Sequence, residues 1–197
     1  MSDRYCDLGT LKTRLGITDT TDDVSLNAMI EAVSRIIDEL TQRRFYASTE
    51  TRYYQASDAY RIYVDDLLSV TTLKTDYTSS GTWTYTWTTS DYDLGPVNAS
   101  ADGWPYLYIE RAPYGDYYFP ITESVPRSIQ VIGSFGFSST VPDMISEAAL
   151  LASEQVFKRK DAICGVMGPA GFLQNVKNML MTDPLISLCL APYTKRY

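Results

Sequence analysis

Residues 22–45 read DDVSLNAMIEAVSRIIDELTQRRF, and this stretch decides the fold. Leu26, Met29, Ile30, Val33, Ile36, Ile37 and Leu40 recur at i, i+3, i+4 and i+7, the spacing that gathers apolar side chains on one face of an α-helix. Asp22 and Asp23 at the start, and Arg43 and Arg44 at the end, carry the charges that complement a helix dipole. The pattern predicts one helix from Asp22 to about Phe45.

Upstream, residues 7–15 form a shorter helix candidate. Asp7 can cap it, Leu8, Leu11 and Leu15 share a face, and Gly16 stands where a left-handed residue is favoured. Downstream the texture changes. Thirteen of the sixteen tyrosines and all three tryptophans (Trp83, Trp87, Trp104) fall between residues 46 and 118. Short β-prone runs at 51–54, 61–64, 70–74, 83–87, 106–110 and 129–134 alternate with turn residues, and Ser79-Ser80-Gly81 reads as a hairpin turn. Strands at this spacing predict an antiparallel meander or small barrel. Helical texture returns at Pro142, with Ile145, Ala148, Ala149, Ala152 and Val156 on one face and Lys158-Arg159-Lys160 at the end. Residues 165–171 are loop by composition, 172–181 a short amphipathic helix, and 184–197 a tail with several large apolar groups. The predicted fold class is α+β. Residues 1–48 and 136–181 make a small helical bundle core, 49–135 a large antiparallel β insertion, and 182–197 an extended C-terminal tail.

The chain of 197 residues is long enough to bury a core without staples. Cys6, Cys164 and Cys189 are odd in number and far apart, which fits reduced thiols better than disulfides or a zinc site. No apolar run approaches a membrane span, and the N-terminus lacks a signal-peptide core. The net charge of −7 and pI near 4.6 argue against tight DNA binding, which needs a basic face, but not against DNA passing nearby.

There is no histidine. That removes the usual general base and the Ser-His and Cys-His nucleophile systems, and the expectation is a protein without catalytic residues, cofactor or metal. In the 165–171 stretch, Phe172-Leu173 follows the last glycine where a phosphate loop needs Lys and Ser or Thr. Asp65 and Asp66 are strand neighbours that point to opposite faces unless a bend joins them. Asp91 and Asp93 could share a face, but no calcium-loop pattern surrounds them. Turn-forming and solvated aspartates are the simpler reading. The aromatic concentration suits core and interface packing, with ligand stacking as the alternative. The basic pairs suit helix ends first and subunit or DNA contacts second. The apolar tail docks either on its own domain or on a partner.

Four stretches together resemble the head–tail connector (adaptor, or head-completion) family of tailed phages. They are Leu11-Lys12-Thr13-Arg14-Leu15-Gly16-Ile17 with Asp22-Asp23, Leu40-Thr41-Gln42-Arg43-Arg44-Phe45, Leu67-Leu68-Ser69-Val70-Thr71-Thr72-Leu73-Lys74, and Phe157-Lys158-Arg159-Lys160-Asp161 with Gly165. In the second, the family commonly has glycine where this chain has Gln42. The resemblance implies a structural homo-oligomer, usually a ring of twelve copies, assembled beneath the portal protein in the host cytoplasm and retained in the virion. Such a ring joins the DNA-filled head to the tail, receives a stopper or tail-terminator protein below, and lets DNA through without sequence-specific binding. Carried onto this sequence, Leu185, Ile186, Leu188, Leu190, Pro192, Tyr193 and Tyr197 would grip the portal. Removing residues 184–197 would then abolish head attachment and spare the fold. Arg43, Arg44, Lys158 and Arg159 would supply charge between subunits. Two other readings stand beside this one. The first is a stopper or tail-completion protein one ring lower. The second is a carbohydrate-binding β module, which needs Trp83, Trp87 and Trp104 exposed in one row.

Overall fold

The computed structural model describes residues 4–78, 80–121, 127–158, 176–178 and 180–195. The fold is α+β, and the chain divides into two compact units: Met1–Phe45 with Val141–Tyr197, and Tyr46–Thr140.

The first unit is helical. It contains α1 (Leu8–Leu15), α2 (Asp23–Thr41), α3 (Asp143–Lys158) and α4 (Pro184–Leu190), the last followed by a 3₁₀ turn, Ala191–Tyr193. Residues 176–178 and 180–182 are helical as well. The Asp7 carboxylate accepts from the Thr10 backbone N–H at 3.0 Å, and Gly16 closes α1 with φ 70°. These local signals placed α1 correctly because each acts within one turn. The long helix stops at Thr41 instead of about Phe45, because Gln42 takes a left-handed conformation (φ 56°, ψ 33°) that ends it. Arg43 and Arg44 therefore follow the helix and are not in its last turn. The apolar stripe of α2 (Leu26, Ile30, Val33, Ile37) is buried, as are Leu11 of α1 and Ile145, Ala148, Ala149, Ala152 and Val156 of α3. The three alanines leave room for α3 to pack on α1, α2 and α4 at once.

Tyr5 ties the chain ends of this unit together. Its ring meets Phe45 edge-on at 5.6 Å, and its hydroxyl donates to Asp38 and accepts from the Phe45 N–H. The last segment, expected to be an extended tail, is instead a helix packed on α3 within this unit. Asp183 caps it, with one carboxylate oxygen accepting from Leu185 N at 2.9 Å and Ile186 N at 3.2 Å, and Pro184 occupies the first turn, where its missing N–H costs nothing. Cys164, Arg159, Lys160, Asp161, the 165–171 stretch, Ser79 and Tyr197 lie outside the described residues.

The second unit is one antiparallel sheet. Its strands are β1 (Ser48–Tyr54), β2 (Arg61–Thr75), β3 (Tyr85–Trp87), β4 (Tyr92–Gly95), β5 (Tyr106–Arg111) and β6 (Ile129–Phe135). They run in the order β1-β6-β2-β5-β4, with β3 also on β2. The two expected runs at 61–64 and 70–74 are a single strand that changes partners: its first part pairs with β5, its second with β6, and its end also with β3. Register shifts near Leu67 and Val70 bend it. Gly133 makes the bend possible, since a Cβ there would lie 2.2 Å from the Ser69 carbonyl oxygen. Reaching past β6, the Arg52 side chain on β1 meets Asp65 on β2 at 2.6 Å and lies over the Phe135 ring. Leu67, Leu73, Trp87, Ile109, Phe119, Ile129, Val131 and Phe135 fill the core. The four residues of β4 gave too short a signal to read as a strand.

Candidate assembly surfaces

The C-terminal helix presents two faces. Ile186 and Leu190 are 0% and 6% exposed and belong to the core of the helical unit. Leu185 and Leu188, at 63% and 67%, point outward, and Met181 and Pro192 extend the outer row by one helical turn each way. Beside this row runs an apolar groove of ≈ 370 Å³, lined by Leu40, Leu180, Met181, Ser187, Leu190, Ala191 and Thr194. The half-buried Tyr193 packs edge-on against Phe45 at 5.6 Å, and Lys195 N donates to the Thr41 carbonyl at 3.0 Å. Asp183 also accepts from Gln155 on α3 at 2.6 Å. That bond, with those from the Ile186 and Leu185 N–H groups, holds the Asp183 carboxyl below the usual carboxylate range.

Of the portal-facing residues expected from sequence, Leu185, Leu188 and Pro192 are thus accessible, whereas Ile186 and Leu190 are committed to the chain's own core. Arg43 and Arg44 are half-buried and engaged with partners. Lys158 is exposed and pairs with Glu154 one turn back at 2.6 Å.

The β unit separates the residues that chemistry would have to bring together. Asp65 is exposed and Asp66 buried, so the two face apart despite the nearby bulge. Asp91 is buried and accepts from Thr88 Oγ1, Thr88 N and Asp116 N, which lowers its pKa and folds two loops onto one carboxylate. Asp93 stands exposed on β4. Trp87 is 4% exposed and stacks on Phe119 at 4.5 Å. Trp83 lies against Tyr53 at 4.8 Å, and Trp104 meets Phe137 edge-on at 5.3 Å. The exposed tryptophan row that a carbohydrate module needs is not formed. Burial pushes the Cys6 thiol up to about 11.

With this arrangement of helices and antiparallel sheet, the chain resembles solved structures along nearly its whole length. One, from the neck of an empty gene transfer agent particle computed with C6 symmetry, aligns at TM-score 0.61 and 15% identity over 98% of this chain and 91% of that one. A second, from the neck of the native particle computed with C12 symmetry, gives TM-score 0.61 and 15% identity over 96% and 89%. A third, from the virion of the native gene transfer agent particle, gives 0.56 and 15% over 98% and 91%. The chain has the fold of a neck component. No protein-family model matches the chain, nor does any curated protein by sequence.

Two positioning groups were not evident from sequence. Asp76 organises the turn after β2 by accepting from Thr78 N at 2.9 Å and Gly81 N at 2.8 Å. Asp183 joins the start of α4 to α3. Both carry an ordinary aspartate signal, and only the folded chain shows what each one caps.

Proposed function

We propose that this chain is a structural head–tail adaptor, without catalytic activity, that forms a ring under the portal, joins the DNA-filled head to the tail and leaves a passage for DNA. The observation that carries this reading is the fold, shared over nearly the whole chain with chains of a particle neck whose structures were computed with C6 and C12 symmetry. The ordered C-terminal helix adds a second support. It keeps half of its large apolar side chains outward, beside an apolar groove, and so offers a ridge and a cleft to another protein. In this reading Leu185, Leu188 and Pro192 meet the portal first. Ile186 and Leu190 could join only if α4 left its seat. The acidic balance of the chain suits a conduit that DNA traverses without adhering.

The test is a pair of surface substitutions, Leu185→Glu with Leu188→Glu, assayed for binding to portal-bearing heads. Loss of binding with unchanged thermal unfolding is the expected result. A variant that binds portal-bearing heads as the wild type does removes α4 from the portal contact. A wild-type chain that binds the tail side and ignores the portal is a stopper, one ring lower.

A further inference from the structure

The outer surface of the β unit is charged differently at its two ends. Residues 46–140 carry five Lys and Arg against eleven Asp and Glu, so the β unit holds a net −6 of the chain's −7. At the β4–β5 end, Asp93 stands directly opposite Glu110 in the antiparallel pair. Like charges in that position repel. Arg61 pairs with Glu110 at 2.8 Å, and its guanidinium lies over the Tyr108 ring at 4.4 Å. Asp93 is exposed, and among the described residues it has no ion pair. The row across the three strands thus reads Arg61, Glu110, Asp93: one cation for two anions. Tyr63, 71% exposed and opposite Tyr108, covers the neighbouring row.

The β1–β6 end has the complementary pattern. Tyr53, Gln130, Lys74 and Thr86 are register partners across β1, β6, β2 and β3, so their side chains share the outer face. Arg127, just before β6, is exposed, and its guanidinium lies 5.9 Å from the centre of the Tyr53 ring. Among the described residues it has no carboxylate partner. Arg127 lines one cavity with Arg52 and Asp65, and Arg52 pairs with both Asp65 and Glu50. With Lys74 and Arg127 this end holds three cations for two anions, over an aromatic floor of Tyr53 and Trp83.

We propose that these two ends are the two sides of one contact between copies of this chain, with Arg127 of one copy meeting Asp93 and Glu110 of the next. The occupant is a second copy because both halves of the complementarity are on one sheet, at opposite ends of its strand order. A contact between two different patches is head-to-tail, and head-to-tail contacts generate rings when the rotation closes. Exposed Tyr and Arg side chains on a rigid sheet are the residue types that anchor protein interfaces. This contact rests on the ring reading above and says which surfaces make the ring.

The experiment uses four full-length chains: wild type, Asp93→Lys, Arg127→Glu and the double reversal. Association is measured by sedimentation velocity free in solution and by particle counting on isolated portal rings. The expected result is that each single reversal weakens association about tenfold or more, the scale of close interfacial charge pairs. The double reversal then restores it, and all four chains unfold at similar temperatures. Rings that form equally well in all four chains overturn this contact and leave the ring reading standing. A double reversal no better than the singles also overturns the contact. A wild-type chain that stays monomeric both in solution and on portal rings overturns the contact and the ring together.

Discussion

Gln42 occupies the left-handed position that terminates α2, where only glycine avoids a steric penalty. Its side chain recovers part of the cost by donating to the Glu39 carbonyl at 2.7 Å. Gln42→Gly is therefore expected to stabilise the chain by about 0.5 kcal/mol, the backbone gain less the lost bond, read as a higher denaturant midpoint. The family resemblance already marked this position as one where glycine is common, and the backbone angle supplies the reason. Gly133→Ala should do the opposite. Its Cβ would run into the Ser69 backbone, which cannot step aside, so a loss of about 3 kcal/mol or more is expected in the same unfolding assay. The caps at Asp7 and Gly16 were legible because they act within one turn. Asp91 was legible only as a turn aspartate: its bond from Thr88 N is local, but the one from Asp116 N comes from a loop 25 residues away.

The helices could be read from their apolar period, and the strands largely from their β-prone runs. The errors fell where tertiary structure overrides local pattern. The sequence of β2 looks like two strands because its bulges break the alternation of faces. The C-terminal segment is too short for a core of its own and carries Pro192 near its end, so its sequence reads as an extended, partner-docking tail. Yet Pro184 is tolerated at the start of a helix, and Ile186 and Leu190 supply the buried face. Ile186→Ala should thus cost about 2–4 kcal/mol in unfolding free energy, and Leu185→Ala less than about 0.5. Removing residues 184–197 takes Ile186 and Leu190 from the core. It should destabilise the helical unit, contrary to the expectation that truncation spares the fold. The seat of α4 should also respond to acid. The Asp183 carboxyl is held below its unfolded value, so its contribution is complete above about pH 4 and is lost as the pH falls through the lowered folded value. The protection of the α4 amides, taken relative to their intrinsic exchange rate, should fall there, and Asp183→Asn should reduce that pH dependence.

At the scale of the molecule, the chain places nearly all of its net charge on a β unit inserted between two parts of a helical unit. The α+β class and the interruption of helical texture by an aromatic β segment were legible from composition and period alone. The charge asymmetry of the sheet's outer face was not, because it depends on strand order: Asp93 and Glu110 become opposed, and Lys74 and Tyr53 aligned, only once the register is known. A ring of this chain seated on a portal is tested most directly by electron microscopy of the wild-type chain mixed with isolated portal rings. The expected image is a second ring of twelve copies stacked coaxially on one face of the portal. Portal rings that remain bare at saturating protein would contradict the adaptor assignment.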